Sequence, residues 1–400
     1  MKIVIASDSF KGSLTSMEVA ESVEKGILDV FPSCEVVKSA VADGGEGTTD
    51  ALCQTLGGET VEILVEDPLG RPVKASYAVL DDGHTAVLEM SAASGLTLLA
   101  ADERNPMRTS TYGTGQLIAD ALARGCRKFL VGIGGSATND GGMGMLQALG
   151  YVFTDADGNY LPGVGASLSA VCRIDDSNVL SSVRESEFIV ACDVDSPLYG
   201  PEGAAYVFAP QKGADQYMVR TLDEGLRHYA EVVASYLSVS IDFHSNDSGS
   251  RHIDRSVIPD MASMPGAGAA GGLGYAFVAF LGARLQRGVD MVLDAVGFDR
   301  IIEGADLVIT GEGRIDSQTF TGKTPYGVLM RASGQGIPVM ALAGLVDLDD
   351  SFTATLSESA GFRAIRQITP EGMPFSEAML PAVASANLSR TISALLQQFG

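Results

Sequence analysis

The sequence predicts an α/β protein: a Rossmann-like parallel-sheet domain made from the two ends of the chain, with a second, mixed-sheet α/β domain inserted in it. Three observations predict this. Short apolar runs alternate with helical segments over residues 2–58, and the same alternation returns over 306–400. Between them, residues 61–100 change to short β-rich runs broken by turns. Alternating strands and helices indicate a parallel sheet, and closely spaced strands an antiparallel or mixed one. A chain of 400 residues holds two or three domains at a prior of ~150 residues each. Three sequential domains would give nearly the same pattern.

Residues 2–8 (KIVIASD) form an apolar run ending in Asp8, and 16–31 carry apolar residues at helical spacing, closed by Pro32. A second strand, 35–43, precedes a helix at 47–58 with a glycine stop. Turns at Pro68-Leu69-Gly70 and Asp81-Asp82-Gly83 punctuate the next region, and the pattern change near residue 62 marks a boundary. A helix at 114–125, a strand at 128–135 and a helix at 141–150 follow, then strands near 151 and at 187–193 and an amphipathic helix at 216–237. The uncharged stretch ending at Ala283 is rich in glycine, which predicts a glycine loop entering a buried helix and not a membrane span. Strands at 306–310, 337–344 and 362–368 alternate with helices near 325–334 and 352–360 and a long C-terminal helix. The expected domains are therefore 1–62 plus 286–400, and 63–285.

The composition excludes several function classes. At 46% hydrophobic and 19% charged residues the chain folds and is not disordered. With 27 basic and 50 acidic residues the formal charge is −23, a field that repels nucleic acid and anionic membrane surfaces. The five cysteines are scattered without a Cys-x-x-Cys pair, and the four histidines are not at ligand spacing, so neither a zinc site nor a disulfide framework is expected. The N-terminus lacks a signal-peptide pattern, and a cytoplasmic location is expected.

In open α/β sheets ligands bind outside the carboxyl ends of the strands. The segments following five expected strands begin Asp8-Ser9-Phe10-Lys11-Gly12, Asp43-Gly44-Gly45-Glu46-Gly47, Gly134-Gly135-Ser136-Ala137-Thr138-Asn139-Asp140, Asp193-Val194-Asp195 and Gly311-Glu312-Gly313-Arg314. Glycines admit a phosphate close to backbone N–H groups, helix N-termini add partial positive charge, and carboxylates hold Mg²⁺ against phosphate oxygens. That combination suits phosphoryl transfer.

Two near-motifs bear on this. Residues 317–324 (SQTFTGKT) resemble a phosphate-binding loop but begin with Ser317 in place of glycine; Lys323 would reach a phosphate from the helix opened by Pro325. Gly132-Ile133-Gly134-Gly135-Ser136-Ala137 fits a dinucleotide fingerprint, with Asp155 as the ribose acid, and supports an NAD-dependent dehydrogenase as the rival reading. Lys11 and Lys212 lie in glycine loops where they can pair an anion or simply face solvent. Of Asp193 and Asp195, which an extended segment points to opposite faces, Asp193 is the expected site residue. Arg71 lies in a turn and is a weaker substrate candidate. Hydrolase, zinc-protease and protein-kinase signatures are absent.

Taken together, SDSFKGS (7–13), ADGGEGT (42–48), GIGGSATNDGG (132–142), ACDVDSPLYG with VFAPQKGA, GAGAAGGLG (266–274) and TGEGRIDSQTFTGKTPYGV (310–328) resemble the bacterial glycerate kinases of the first type. Ser196 departs from the pattern, which has Asn there. The resemblance implies ATP- and Mg²⁺-dependent phosphorylation of D-glycerate to 2-phosphoglycerate, and two α/β domains with the site in the cleft between them. Our assignment of roles places the ATP phosphates on Gly134, Gly135, Ser136, Thr138, Asn139 and Asp140 with the helix that follows, and Lys212 or Lys323 against them. Asp193, with Asp43 or Glu312, is expected to hold Mg²⁺. Lys11, Arg314 or Arg71, with Asp8, Ser9 and Glu312, is expected to hold the substrate, and Asp193 or Asp43 to take its proton. Which aspartate is base and which is metal ligand is open, as is the choice between monomer and homodimer.

Overall fold

The computed structural model describes residues 1–45, 47–244, 258–348 and 361–398. The chain divides into two compact units, Met1–Gly57 with Arg287–Gly400, and Gly58–Gln286. Thirteen strands occur among the described residues. In chain order they are β1 (Lys2–Ser7), β2 (Glu35–Ala40), β3 (Gly58–Glu66), β4 (Pro72–Leu80), β5 (Thr85–Glu89), β6 (Lys128–Gly132), β7 (Val152–Thr154), β8 (Arg173–Asp175), β9 (Glu187–Ala191), β10 (Arg284–Gln286), β11 (Leu307–Ile315), β12 (Val339–Val346) and β13 (Phe362–Gln367).

The first unit is a five-stranded, wholly parallel sheet in the order β13-β12-β11-β1-β2. A parallel sheet is covered on both faces, so its central strands are apolar throughout. Ile3, Val4, Ile5 and Ala6 of β1 are accordingly fully buried. The helix Ser16–Val30 starts at a capping box, in which Thr15 and Glu18 satisfy each other's backbone N–H groups. It packs on the C-terminal helix Pro381–Leu396 through Ile27, Leu388 and Ile392. From β1 the chain passes to β2 on one side, whereas β11 continues to β12 and β13 on the other. The strand order therefore reverses between β1 and β11, where an open sheet forms its ligand crevice.

One expected boundary is corrected here. The strand read as ending at Thr310 continues to Ile315, hydrogen-bonded in parallel to β12 as far as the Ile315–Val346 pair. Gly311 and Gly313 are strand residues and not a loop. A Cβ at Gly311 would lie 2.4 Å from the Leu342 carbonyl oxygen, so glycine lets the two strands close at the point where Glu312 emerges. The helix expected near 352–360 lies outside the described residues.

The second unit holds a six-stranded mixed sheet in the order β10-β9-β6-β5-β4-β3. β3, β4 and β5 are antiparallel, and β5, β6, β9 and β10 are parallel. β7 and β8 form a separate two-stranded sheet. The uncharged stretch supplies the buried helix Ala269–Leu281, entered through Ala270, Gly271 and Gly272 at φ of 51°, 69° and 93°. A side chain at Gly271 would meet the Thr138 carbonyl oxygen at 2.1 Å, which seats this helix directly under the 134–142 loop. Among the described residues no helix is long and apolar enough to cross a membrane.

Candidate active site

At the carboxyl ends of the first unit's strands lies a cavity of about 850 Å³. Seven of the residues singled out from the sequence line it: Asp8, Ser9, Lys11, Asp43, Glu312, Arg314 and Lys323. Three carboxylates and three cations thus meet at the β1/β11 switch point, drawn from four separate stretches of sequence. The parallel sheet is what brings them together.

Asp8 follows β1, and its backbone N–H donates to the Gly311 carbonyl oxygen at 2.9 Å. Its carboxylate accepts from the Ser9 N–H at 2.6 Å and from the Thr324 hydroxyl at 3.0 Å. Burial, with the like charge of Asp43, lifts its pKa to about 6, against the opposing pull of these donors and Lys11. Glu312 is also buried, accepts from the Thr319 hydroxyl, and lies 3.9 Å from the Lys323 ammonium. Burial raises it to about 7; Thr319 and Lys323 oppose the rise. Two buried carboxyl groups with pKa values displaced toward neutrality suit a proton-handling site.

Asp43 accepts from the Gly45 N–H at 3.0 Å. Glu46, in the same segment, lies outside the described residues. Lys323 is the N-cap residue of the helix Thr324–Gly334, which Pro325 opens. Arg314 is ion-paired with Asp347, and its Nε lies 3.5 Å from Asp316. Lys11 is exposed at the cavity wall.

The sequence reasoning missed Thr319, which holds Glu312, and the acid-orienting role of Thr324. The signal for both was the near-motif 317–324. Of the carboxylates that line the cavity, Asp8 and Glu312 are the two whose pKa burial raises; Asp193, expected at the chemistry, is an exposed residue after β9 of the second unit.

In that unit most of the 134–142 loop, expected to cradle phosphates, is turned inward. Only Gly134 and Gly135 are exposed; Thr138, Asn139 and Asp140 are fully buried. Asp140 accepts from the N–H groups of Thr111, Gly142 and Gly144 and from the Thr111 hydroxyl, so the first amides of the helix Met143–Ala148 already have a partner. The Lys212 ammonium is likewise turned inward, donating to Ser136 Oγ at 2.6 Å and to the Thr138 carbonyl oxygen at 2.7 Å. Burial lowers its pKa to about 7, and Asp140 opposes this. Lys212 thus holds the loop from within. Arg71 is engaged by Asp67 and Glu103 at 2.6 Å each.

The dinucleotide fingerprint does not form either. No helix opens at Gly134, the first helical residue being Met143. Asp155 closes its own exposed turn, accepting from the N–H groups of Asp157 and Asn159 and from the Asn159 side chain.

Comparison with known proteins agrees with a phosphotransferase. The family model described as "Glycerate kinase family" matches residues 3–399. A glycerate kinase of Bacillus subtilis is 46% identical over 378 residues, covering 94% of this chain and 93% of its own. A glycerate 2-kinase of Escherichia coli is 46% identical over 344 residues, covering 86% and 85%. A crystal structure from Salmonella typhimurium, carrying the provisional name glycerate kinase 2, superposes with a TM-score of 0.85 at 40% identity and covers 100% of this chain and 98% of its own.

Proposed function

Since this chain belongs to the glycerate kinase family, we propose that it transfers the γ-phosphoryl group of ATP to a hydroxyl of D-glycerate, in the cavity of its parallel-sheet unit. The observation that carries the placement is the meeting of Asp8, Asp43, Glu312, Lys11, Lys323 and Arg314 around that cavity. Phosphoryl transfer needs cations for phosphate charge, a group to receive the acceptor's proton, and oxygen ligands for a divalent cation.

Glu312 is the group we assign to the proton. A carboxyl near pH 7 is a competent base at neutral pH. The acceptor oxygen attacks the γ-phosphorus, its proton passes to Glu312, the bond to the β-phosphate oxygen breaks and ADP leaves. Lys323, beside Glu312 and at a helix N-terminus, suits the transferring phosphate. Lys11 suits the glycerate carboxylate; Arg314 is already paired with two carboxylates. Among the described residues no three metal-ligating side chains cluster. Mg²⁺ needs only one or two carboxylates beside phosphate oxygens and water, and the all-oxygen pair Asp8 and Asp43 fits that need. When bound it would neutralise developing phosphate charge. The relative named a glycerate 2-kinase supports 2-phosphoglycerate as the product, with 3-phosphoglycerate the lesser alternative. An ATP-consuming enzyme of this kind works in the cytoplasm.

A coupled assay for ADP against a panel of small hydroxy acids tests the proposal, with phosphorus NMR of the product. The expected result is ADP release dependent on D-glycerate and a 2-phosphoglycerate signal. ADP release unaffected by D-glycerate would refute it.

A further inference from the structure

The cavity is far larger than the acid it is proposed to bind. Glycerate fills on the order of 100–200 Å³, scaling from the ~30 Å³ taken by a water; the cavity is about 850 Å³. Its lining is also chemically uneven. Asp8, Glu312 and their ionic neighbours occupy the β1/β11 side. The chain that follows β13 lines the cavity with Ile368, Pro370, Met373, Phe375 and Ala378, interleaved with the polar Gln367, Thr369 and Glu371, and Met379 closes over Gly12. We propose that this β13 side is the adenine subsite, so that ATP lies across the strand ends with its triphosphate toward Lys323. The inference rests on the kinase reading above.

The length supports it. Residues lining the cavity follow or end β1, β11, β12 and β13, adjacent in that order. Three gaps between strands at ~4.8 Å each span ~14 Å. A nucleoside triphosphate bridges that distance and a three-carbon acid does not.

The chemistry supports it too. Adenine is a flat, uncharged ring, and its binding calls for apolar and aromatic surface at the end of a phosphate track. Phe375 stands at the rim with 79% of its surface open, a free aromatic face. The wall is also built. Ile368 N–H donates to the Ala343 carbonyl oxygen at 2.8 Å, and Met373 N–H to the Pro370 carbonyl oxygen at 3.2 Å, closing a turn. Met379 reaches Gly12, where even a Cβ would come within 3.2 Å of its methyl carbon. Flexible thioethers such as Met373 and Met379 adapt to a planar ring.

Photolabelling of the full chain with 8-azido-ATP, followed by peptide mapping, tests the inference without relying on turnover. Label is expected within residues 367–379, suppressed by ATP and not by D-glycerate. Label concentrated in 134–142, or suppressed by D-glycerate alone, would overturn it. Ala378→Trp, which fills the β13 side, is expected to raise the KM for ATP at least tenfold and leave that for D-glycerate within about twofold. The reverse pattern would assign this side to a longer acceptor acid and overturn the inference. Phe375→Ala, at an exposed position that cannot unfold the unit, is expected to weaken labelling severalfold; full labelling would count against the stacking role. A wild-type chain labelled at 367–379 but releasing no ADP with D-glycerate would refute the kinase reading and leave the subsite standing.

Discussion

Glu312 holds an acidic proton to about pH 7 because burial outweighs Thr319 and Lys323. Two consequences follow, with opposite signs for activity and stability. Turnover should rise with pH through about 7, as the carboxylate form becomes available. Stability should fall over the same range, because the folded chain keeps a proton that the unfolded chain has already released. The rise from 4.5 to about 7 corresponds to a loss of about 3 kcal/mol at high pH. Glu312→Gln should therefore lower kcat by ~10²-fold or more, abolish this pH limb, and raise Tm at pH 8. A pH–rate profile unchanged in the variant would remove Glu312 from the chemistry. Lys212 gives the opposite sign. Its pKa is depressed to about 7, so the stability it contributes is present at high pH and is lost as pH falls through 7. Lys212→Met leaves Ser136 Oγ and the Thr138 carbonyl oxygen short of a partner. It should cost ~1–3 kcal/mol by chemical denaturation at pH 9, with the gap narrowing at pH 6. An equal gap at both values would show that Lys212 is not a buried titrating group.

At the scale of elements, the strands and helices of the parallel unit were legible because alternation of apolar runs with helical periodicity reflects burial directly. The exception was β11. GEGRID reads as a turn, since glycine and aspartate favour turns, yet here glycine serves close approach of two strands. Sequence cannot distinguish a glycine needed for its backbone freedom from one needed for its missing side chain. Gly311→Ala tests the point: its Cβ would press on the Leu342 carbonyl oxygen of β12 at 2.4 Å. The expected outcome is a loss of ~1–3 kcal/mol in denaturant unfolding, with reduced turnover as Glu312 is displaced. An unchanged midpoint would mean that the strands part without cost.

For the whole molecule, the sequence marked several segments that converge on one cavity but not which way their side chains point. The residues of the parallel unit came together because strand order, once β1 and β11 are neighbours, forces their carboxyl ends to one place. The 134–142 loop looked equally suited to phosphate; in it Asp140 turns inward to cap a short helix, and Ser136 Oγ and the Thr138 carbonyl oxygen hold Lys212, while the Asn139 amide is buried with no hydrogen-bond partner among the described residues. The β13 side of the cavity left no trace, because TPEGMPF after β13 has neither periodicity nor motif. The central claim is that phosphoryl transfer occurs at the β1/β11 strand ends. Steady-state turnover of Asp8→Asn as a function of Mg²⁺ tests it most directly. A kcat at least ~10²-fold below wild type, a higher Mg²⁺ requirement and an unchanged far-ultraviolet dichroism spectrum are predicted. Turnover within threefold of wild type, at the same Mg²⁺ requirement, would contradict it.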